Sequence, residues 1–402
     1  MFPFKENQPL SRSRSNGSHT AGRVVMLFAA AALIGFLGWS GVARLSWISL
    51  LYPFLYLQSR SRLEALSAVF YYAGATWSVI PGSAVFFGTN ASLALPLLLF
   101  LGCIALGSLP WVLLYHRRFI EVSTVTALAV LALPPLSLVT VAHPLISVGQ
   151  WFPGTRWFGI LLPLFAILLY RWFGPKYTAG ILLASFIVTH ARWIPPAVDP
   201  HVAAIDTHFG GSAFLPRSSL LLYQQERQIQ SEALKHPDSV VLFPETIVPA
   251  WSRMTDAHWQ DTFRSLQQQH TTLLLGTTVP VPATQGSRNI LLSRGFGPHF
   301  AYVQRIPVPL AMWHFRGKDG FPLMLRYPPT IRVLNQHAAV LMCYEQLLIW
   351  PALQSLSRDP DMLLAPSNDY WASKTTIPAI QHEVAKDWAD LWDIPLYEAR
   401  NE

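Results

Sequence analysis

Residues 338–345 read AAVLMCYE, five apolar residues that run into a thiol and a carboxylate. An apolar run of that length reads as a strand, and the stretch after it, around 346–356, reads as a helix. The pattern recurs along the second half of the chain. HVAAID (201–206) precedes a predicted helix around 217–235, and SVVLFPE (239–245) precedes one around 256–269. TTLLLGTTV (271–279) follows, then short strands around 289–305. DMLLAPSNDYW (361–371) leads into a helix around 378–391, and IPLYEAR (394–400) closes the region. Apolar strands separated by helices form a layered α/β sheet, whose ligands gather at the C-terminal ends of the strands.

The rest of the chain is different in kind. Of 402 residues, 51% are hydrophobic and only 13% charged, against about 25% charged in soluble domains. Residues 65–115 carry no Asp, Glu, Lys or Arg. Three regions follow: a basic tail (1–23), a membrane domain of about seven helices (24–196) and an extracytoplasmic α/β domain (197–402). The apolar run VVMLFAAAALIGFLGWSGV (24–42) has the roughly 20 residues needed to cross a bilayer. Further spans are predicted at 45–58, 66–88, 92–115, 121–142, 157–173 and 178–195, the first of them short and interrupted by Pro53. A secretory signal cleaved near Gly41-Val42-Ala43 is the alternative reading of the first run, and the spans that follow weigh against it.

Lys and Arg stay in cytoplasmic loops. With the N-terminus inside, Lys5, Arg12, Arg14, Arg23, Arg60, Arg62, Arg117, Arg118, Arg171 and Lys176 fall on the cytoplasmic side, and only Arg44 and Arg156 fall outside. Seven crossings then place the α/β domain on the far face of a bacterial inner membrane, in the periplasm of a Gram-negative host. The formal charge of +7 is explained by these loops and the tail, so no direct nucleic-acid binding is expected. Trp151, Trp157 and Trp193 read as interfacial anchors. A transporter is disfavoured because no span carries ionisable residues at membrane depth.

Two strand ends carry chemistry: LFPET, with Glu245, and LMCYE, with Cys343 and Glu345. A carboxylate and a thiol at neighbouring strand ends supply the base and the nucleophile of covalent acyl transfer. The structural alternatives are an inert buried cysteine and a glutamate that caps the next helix. Cys103 lies within an apolar span and cannot reach Cys343, so no disulfide is expected. Asp199, His201, Asp206 and His208 match no zinc or calcium spacing, so no metal is expected. Gly210-Gly211 reads as a turn.

LFPET (242–246), MCYE (342–345), APSNDYW (365–371) and IPAIQHEVAKDWADLWDIPLYEARN (377–401), in that order, resemble the motifs of the nitrilase superfamily of carbon-nitrogen hydrolases. The membrane-bound apolipoprotein N-acyltransferases are the most similar branch. FYYAGATWSV (70–79) and HPLISVGQWFPGTRW (143–157) agree in kind with their helical part, and the shorter conjugal transfer proteins of plasmids look most similar in layout. The resemblance implies a four-layer αββα sandwich with a Glu, Lys, Cys catalytic set and no cofactor. Glu245 would be the general base and Cys343 the nucleophile that carries an acyl thioester. Tyr344 and Glu345 would support the site, and Asn368, Asp369 and Trp371 would line it. A membrane phospholipid would be the acyl donor, and a lipoprotein or another envelope protein the acceptor.

The chain departs from the family at three places. Aligned on Val308-Pro309 in YVQRIPVPLAMW (302–313), the lysine position is Gln304, and Arg305 beside it is directed to the opposite face. Met312 stands where the acyltransferases carry a functional Glu. The family continues past the last motif with further strands and a membrane span, whereas this chain stops at Glu402. Lys318, in FRGKDG, is a second source of positive charge, though Gly-flanked loops are more often simply solvated. The alternative function is therefore an envelope protein of nitrilase fold that assists conjugation or assembly without turnover.

Overall fold

The computed structural model describes residues 13–88, 92–210, 219–282, 286–313 and 320–402; the tail through Arg12, Gly211 and Lys318 lie outside them. Among the described residues, two sheets make up the α/β region. The first holds β1 (Val202–Ala204), β2 (Val240–Leu242), β3 (Val248–Ala250), β4 (Thr272–Pro280), β5 (Ser287–Gly295) and β6 (Ala301–Val303), in the order β1-β2-β4-β5-β6 with β3 also on β4. The second holds β7 (Thr330–Val333), β8 (Gln336–Val340), β9 (Met362–Asn368) and β10 (Leu396–Asn401), in the order β10-β9-β8-β7. β2 is parallel to β1 and β4, and β9 is parallel to β8 and β10.

The period-2 alternation of the strands builds the layers. Val240, Leu242, Leu274, Ala338, Val340, Met362 and Leu364 form one core between the sheets. Their neighbours Val241, Leu273 and Leu275 pack outward against Ile229 and Leu266 of the helices Ser219–Ala233 and Gln260–Gln268, and against Trp259, which caps the second. On the other side Ala339, Leu341 and Leu363 pack against Ile349, Ala352, Val384 and Trp388 of the helices Ile349–Leu356 and Ile377–Trp392. The result is an αββα sandwich. That last helical layer shares one continuous core with Ala31, Trp39, Tyr52 and Tyr71 of the N-terminal helices, so the helical region is packed directly on the sandwich.

Among the described residues, three helices are long and apolar enough to cross a membrane: Ala21–Gly38, Ala94–Leu113 and Trp157–Arg192. The third is two antiparallel helices. Gly174, with φ 68° and ψ 174°, lies outside helical space and is followed by Pro175, a combination that ends a helix. Its two ends also meet: Trp157 lies edge-on to Trp392 with centroids 5.2 Å apart, and Trp193 Nε1 donates to Asp393 at 3.0 Å. A straight helix of 36 residues would hold its ends about 54 Å apart. The remaining predicted spans fold as shorter pieces, among them Ser46–Leu50, Leu51–Tyr56, Ser67–Ala75, Val79–Phe86 and Ile120–Ala132.

Contacts alternate between two ends of this region. Arg44, Ser46, Phe86, Leu138, Gly154 and Trp193 touch the sandwich through Glu383, Asp387, Trp371, Tyr344, Asp390 and Asp393. At the opposite end Arg23 pairs with Glu64 at 3.2 Å, Tyr115 donates to the Ser59 carbonyl at 3.3 Å, and Arg171 donates to the Arg118 carbonyl at 3.0 Å. Trp151 joins the first group, its Nε1 donating to the Trp47 carbonyl at 2.9 Å.

Helices Ser13–Gly38 and Ser67–Ala75 cross where both lack a side chain. A Cβ on Gly35 would lie 2.1 Å from the Tyr71 carbonyl oxygen, and one on Gly74 would lie 2.2 Å from that of Ala32. Small residues permit this close approach. Gly74→Val is expected to destabilise the protein by about 1–3 kcal/mol, read as a lower melting temperature in detergent, while Gly22→Ala, with open space around it, leaves melting unchanged.

Candidate functional site

β2 and β8 belong to different sheets, and the two chemical side chains lie at equivalent places beyond them. Glu245 follows the end of β2 at Leu242, and Cys343 follows the end of β8 at Val340. Cys343 opens the 3-10 turn Cys343–Leu347 and has φ 47°, in the left-handed region that costs a non-glycine residue about 1 kcal/mol or more. This sharp strand-to-helix turn keeps the thiol out of the helix behind it. Thr246, after Glu245, has φ 49°, so the backbone is strained on both sides of the pair.

The Glu245 carboxyl and the Cys343 thiol are neighbours, each acting on the other's protonation, and the Asn368 backbone also acts on the sulfur. Both side chains are buried, at 5% and 8% exposure. Burial is the main cause that raises Glu245 to about 7, and the nearby Asp369 charge adds to it. Burial likewise pushes the Cys343 thiol well up, and the Glu245 and Asp369 carboxylates push it further. The resting pair is a neutral thiol beside a carboxyl that titrates near neutrality, the range suited to a general base.

Asn289 on β5 joins this pair to Gln304. Its Nδ2 donates to Glu245 and, at 3.1 Å, to Gln304 Oε1, while Thr246 Oγ1 donates to Asn289 Oδ1 at 3.2 Å. Gln304 Nε2 donates to the Met342 carbonyl, one residue before the thiol, at 3.2 Å. Gln304 is therefore at the site, and its amide is already engaged on both atoms.

Arg305 diverges from its neighbour. It is fully buried, and its guanidinium donates to Tyr302 Oη at 2.9 Å, the Val340 carbonyl at 3.1 Å, Gln354 Oε1 at 2.9 Å and Ser355 Oγ at 2.9 Å. Glu345 lies 3.5 Å from it and accepts the backbone N–H groups of Arg305, Ile306 and Met342 at 2.6, 3.1 and 3.1 Å. This ion pair ties the Gln304–Ile306 segment to the thiol turn. A buried pair held by this many hydrogen bonds is costly to break from one side.

The other expected site residues are divided. Asn368 and Asp369 adjoin the thiol: Asn368 Oδ1 accepts from Asn401 Nδ2 at 2.8 Å, and Asp369 Oδ2 accepts from Ser367 Oγ at 2.5 Å. Burial raises Asp369 to about 6. Tyr344 and Trp371 turn toward the helical region. Tyr344 Oη donates to the Leu138 carbonyl at 3.3 Å, and Trp371 lies edge-on to Phe86 with centroids 5.0 Å apart. Met312 is buried. Asp199 and Asp206 accept the backbone N–H groups of His201 and Arg400. Gly210, with φ 63°, gives its carbonyl to Asn401.

Sequence reading missed Asn289 and Gln381, whose Nε2 donates to the Cys343 carbonyl at 3.2 Å. Gln381 lies in the quoted IPAIQHEVAKDW stretch, a helix face that packs behind the turn. Gly276 of β4 is a further position, since a Cβ there would lie 2.1 Å from the Pro244 oxygen and 2.6 Å from Glu245 Cα. Gly276→Ala is expected to destabilise by about 1–3 kcal/mol and to shift Glu245 off the thiol; thermal melting and thiol-labelling rates at Cys343 read the two effects.

No protein-family model matches the chain. It is 28% identical over 382 residues to the probable conjugal transfer protein TraB of Sinorhizobium fredii (strain NBRC 101917 / NGR234), covering 92% of this chain and 96% of that one. It is 27% identical over 397 residues to the conjugal transfer protein TraB of Agrobacterium fabrum (strain C58 / ATCC 33970), covering 94% and 93%. Among solved structures, an amidase from Nesterenkonia sp. matches at 15% identity and TM-score 0.33, over 50% of this chain and 74% of that one. A mutant of Nesterenkonia AN1 amidase from the nitrilase superfamily matches at 14% identity and TM-score 0.33, over 52% and 79%. The chain is thus similar over most of its length to TraB conjugal transfer proteins.

Proposed function

We propose that this protein is a multi-pass inner-membrane protein of plasmid conjugal transfer whose periplasmic sandwich performs acyl transfer or amide chemistry through a Cys343 thioester. The observation that carries the chemistry is the buried Glu245 and Cys343 pair beyond two strand ends, each acting on the other's protonation. The similarity to TraB proteins supports the conjugation role, and the long apolar helices support the membrane.

Glu245 takes the thiol proton as Sγ attacks the carbonyl carbon of an acyl donor such as a phospholipid ester. The tetrahedral intermediate expels the alcohol, which receives the proton from Glu245, and leaves an acyl thioester on Cys343. An amine of a lipoprotein or other envelope protein then attacks the thioester, Glu245 accepts its proton, and the departing thiolate recovers that proton. Arg305 and Glu345 position the turn, and Gln304 holds the Met342 carbonyl beside the sulfur.

A second reading has its own observation. The charges that bear most on the thiol are negative, and the Gln304 amide is bonded to Asn289 and Met342. A site without a cationic oxyanion donor loses about 2.7–4 kcal/mol of transition-state stabilisation, which favours a scaffold that binds lipid or a partner without turnover. Intact-mass spectrometry of the detergent-purified protein after incubation with phospholipid separates the two. A hydroxylamine-sensitive acyl adduct supports the enzyme, and no adduct on folded, lipid-binding protein supports the scaffold.

A further inference from the structure

We infer that the end of the helical region away from the sandwich carries a binding site for the headgroup of an anionic phospholipid. His116, Arg117, Arg118, Glu121 and Arg171 line an open groove of about 530 Å³. The residues come from two separate places: His116, Arg117, Arg118 and Glu121 at the start of the helix Ile120–Ala132, and Arg171 at the end of the helical stretch before Gly174. Arg171 Nη1 donates to the Arg118 carbonyl at 3.0 Å, which fixes the two places against each other. Topology alone places Lys and Arg at this end of the spans, but it does not make arginines from distant elements line one concavity.

Three arginines against the one Glu121 leave a net positive charge of two over the groove. The first N–H groups of the helix Ile120–Ala132 add partial positive charge at the same place. Glu121 limits the excess, so the groove suits a phosphodiester of low charge better than a polyphosphate. Exposed apolar side chains adjoin the basic residues in the chain: Leu113 at 68%, Phe119 at 52%, Trp172 at 76% and Phe173 at 45%. A soluble phosphate has no use for that apolar surface. A phospholipid needs both, a cationic seat for its phosphate and an apolar flank for its chains.

This inference rests on the membrane reading above, and the two fail separately. A chain washed off membranes by alkaline carbonate would sink the membrane reading. For the lipid site, the full chain in neutral detergent is titrated with dioleoyl phosphatidylglycerol or dioleoyl phosphatidylcholine and examined by native mass spectrometry. Phosphatidylglycerol is expected to be retained at least tenfold more tightly, the preference to disappear in R117A/R118A/R171A, and Glu121→Gln to tighten binding severalfold. Equal retention of both lipids, or an unchanged preference in the triple variant, overturns the inference. So does displacement of the lipid by inorganic phosphate at equal concentration, which would make the groove a free-anion site. If the triple variant does not fold, Glu121→Gln decides: unaltered affinity rejects the site.

Discussion

A chain carrying Cys343→Ala is expected to fold, to form no acyl adduct and to lose turnover by about 10³–10⁶-fold, the scale on which removal of a covalent nucleophile acts. The fold should tolerate it because the change removes one sulfur atom. Alanine is no more strained than cysteine at φ 47°. Cys103 is the other cysteine of the chain, so Cys103→Ala is the control that should keep the adduct. Circular dichroism establishes folding, and intact mass with hydroxylamine treatment reads the thioester. A folded Cys343→Ala protein that still acquires a hydroxylamine-sensitive acyl group would rule out the proposed nucleophile.

Glu245→Gln is expected to slow acylation of Cys343 by about 10²–10⁴-fold, the usual contribution of a general base. Glutamine keeps the size of the side chain, and its Oε1 can still accept from Asn289, so geometry survives while proton uptake does not. In the unaltered protein the acylation rate should climb as pH rises through about 7, where Glu245 loses its proton; in the variant that limb should be absent. Stability moves the opposite way. The folded carboxyl titrates near 7 instead of 4.5, so the folded state binds the proton more tightly than the unfolded chain. The resulting stability is fully present below about pH 4.5 and is lost as pH rises through 7, an effect on the order of 3 kcal/mol. Asp369, raised to about 6, acts in the same direction in both proteins and cancels in the comparison. Melting temperatures in detergent at pH 5 and pH 8 should therefore show Glu245→Gln gaining on the unaltered protein at the higher pH. A gain at the lower pH instead would mean that a cation sits against Glu245.

Much of the sandwich was legible because its strands obey a local rule. In SVVLFPE and AAVLMCYE one face of the strand meets the other sheet and the opposite face meets the helices, so both are apolar, and a short continuous apolar run finds the strand and places Glu245 and Cys343 beyond its end. Gly174-Pro175 was likewise readable as the break between two predicted spans. Pro53 marked the span around 45–58 as short, but the apolar run 66–88 did not reveal where Ser67–Ala75 ends and Val79–Phe86 begins.

By itself the sequence determined the layered α/β architecture, the apolar first half, and which side chains could serve as base and nucleophile, because these follow from residue type and periodicity. Tertiary structure decided what those side chains touch. Asn289 reaches Glu245 and Gln304 from a different strand, Gln381 braces the thiol turn from a helix 38 residues away, and Ser46 meets Asp387 across 341 residues. Tyr344 and Trp371 lie in the same motifs as the thiol and Asp369 yet turn to the helical region, and Gln304 and Arg305 are adjacent yet serve different networks. The physical reason is that a side chain's direction and hydrogen-bond partners are set by packing between elements distant in sequence, and no local pattern records which of them will meet.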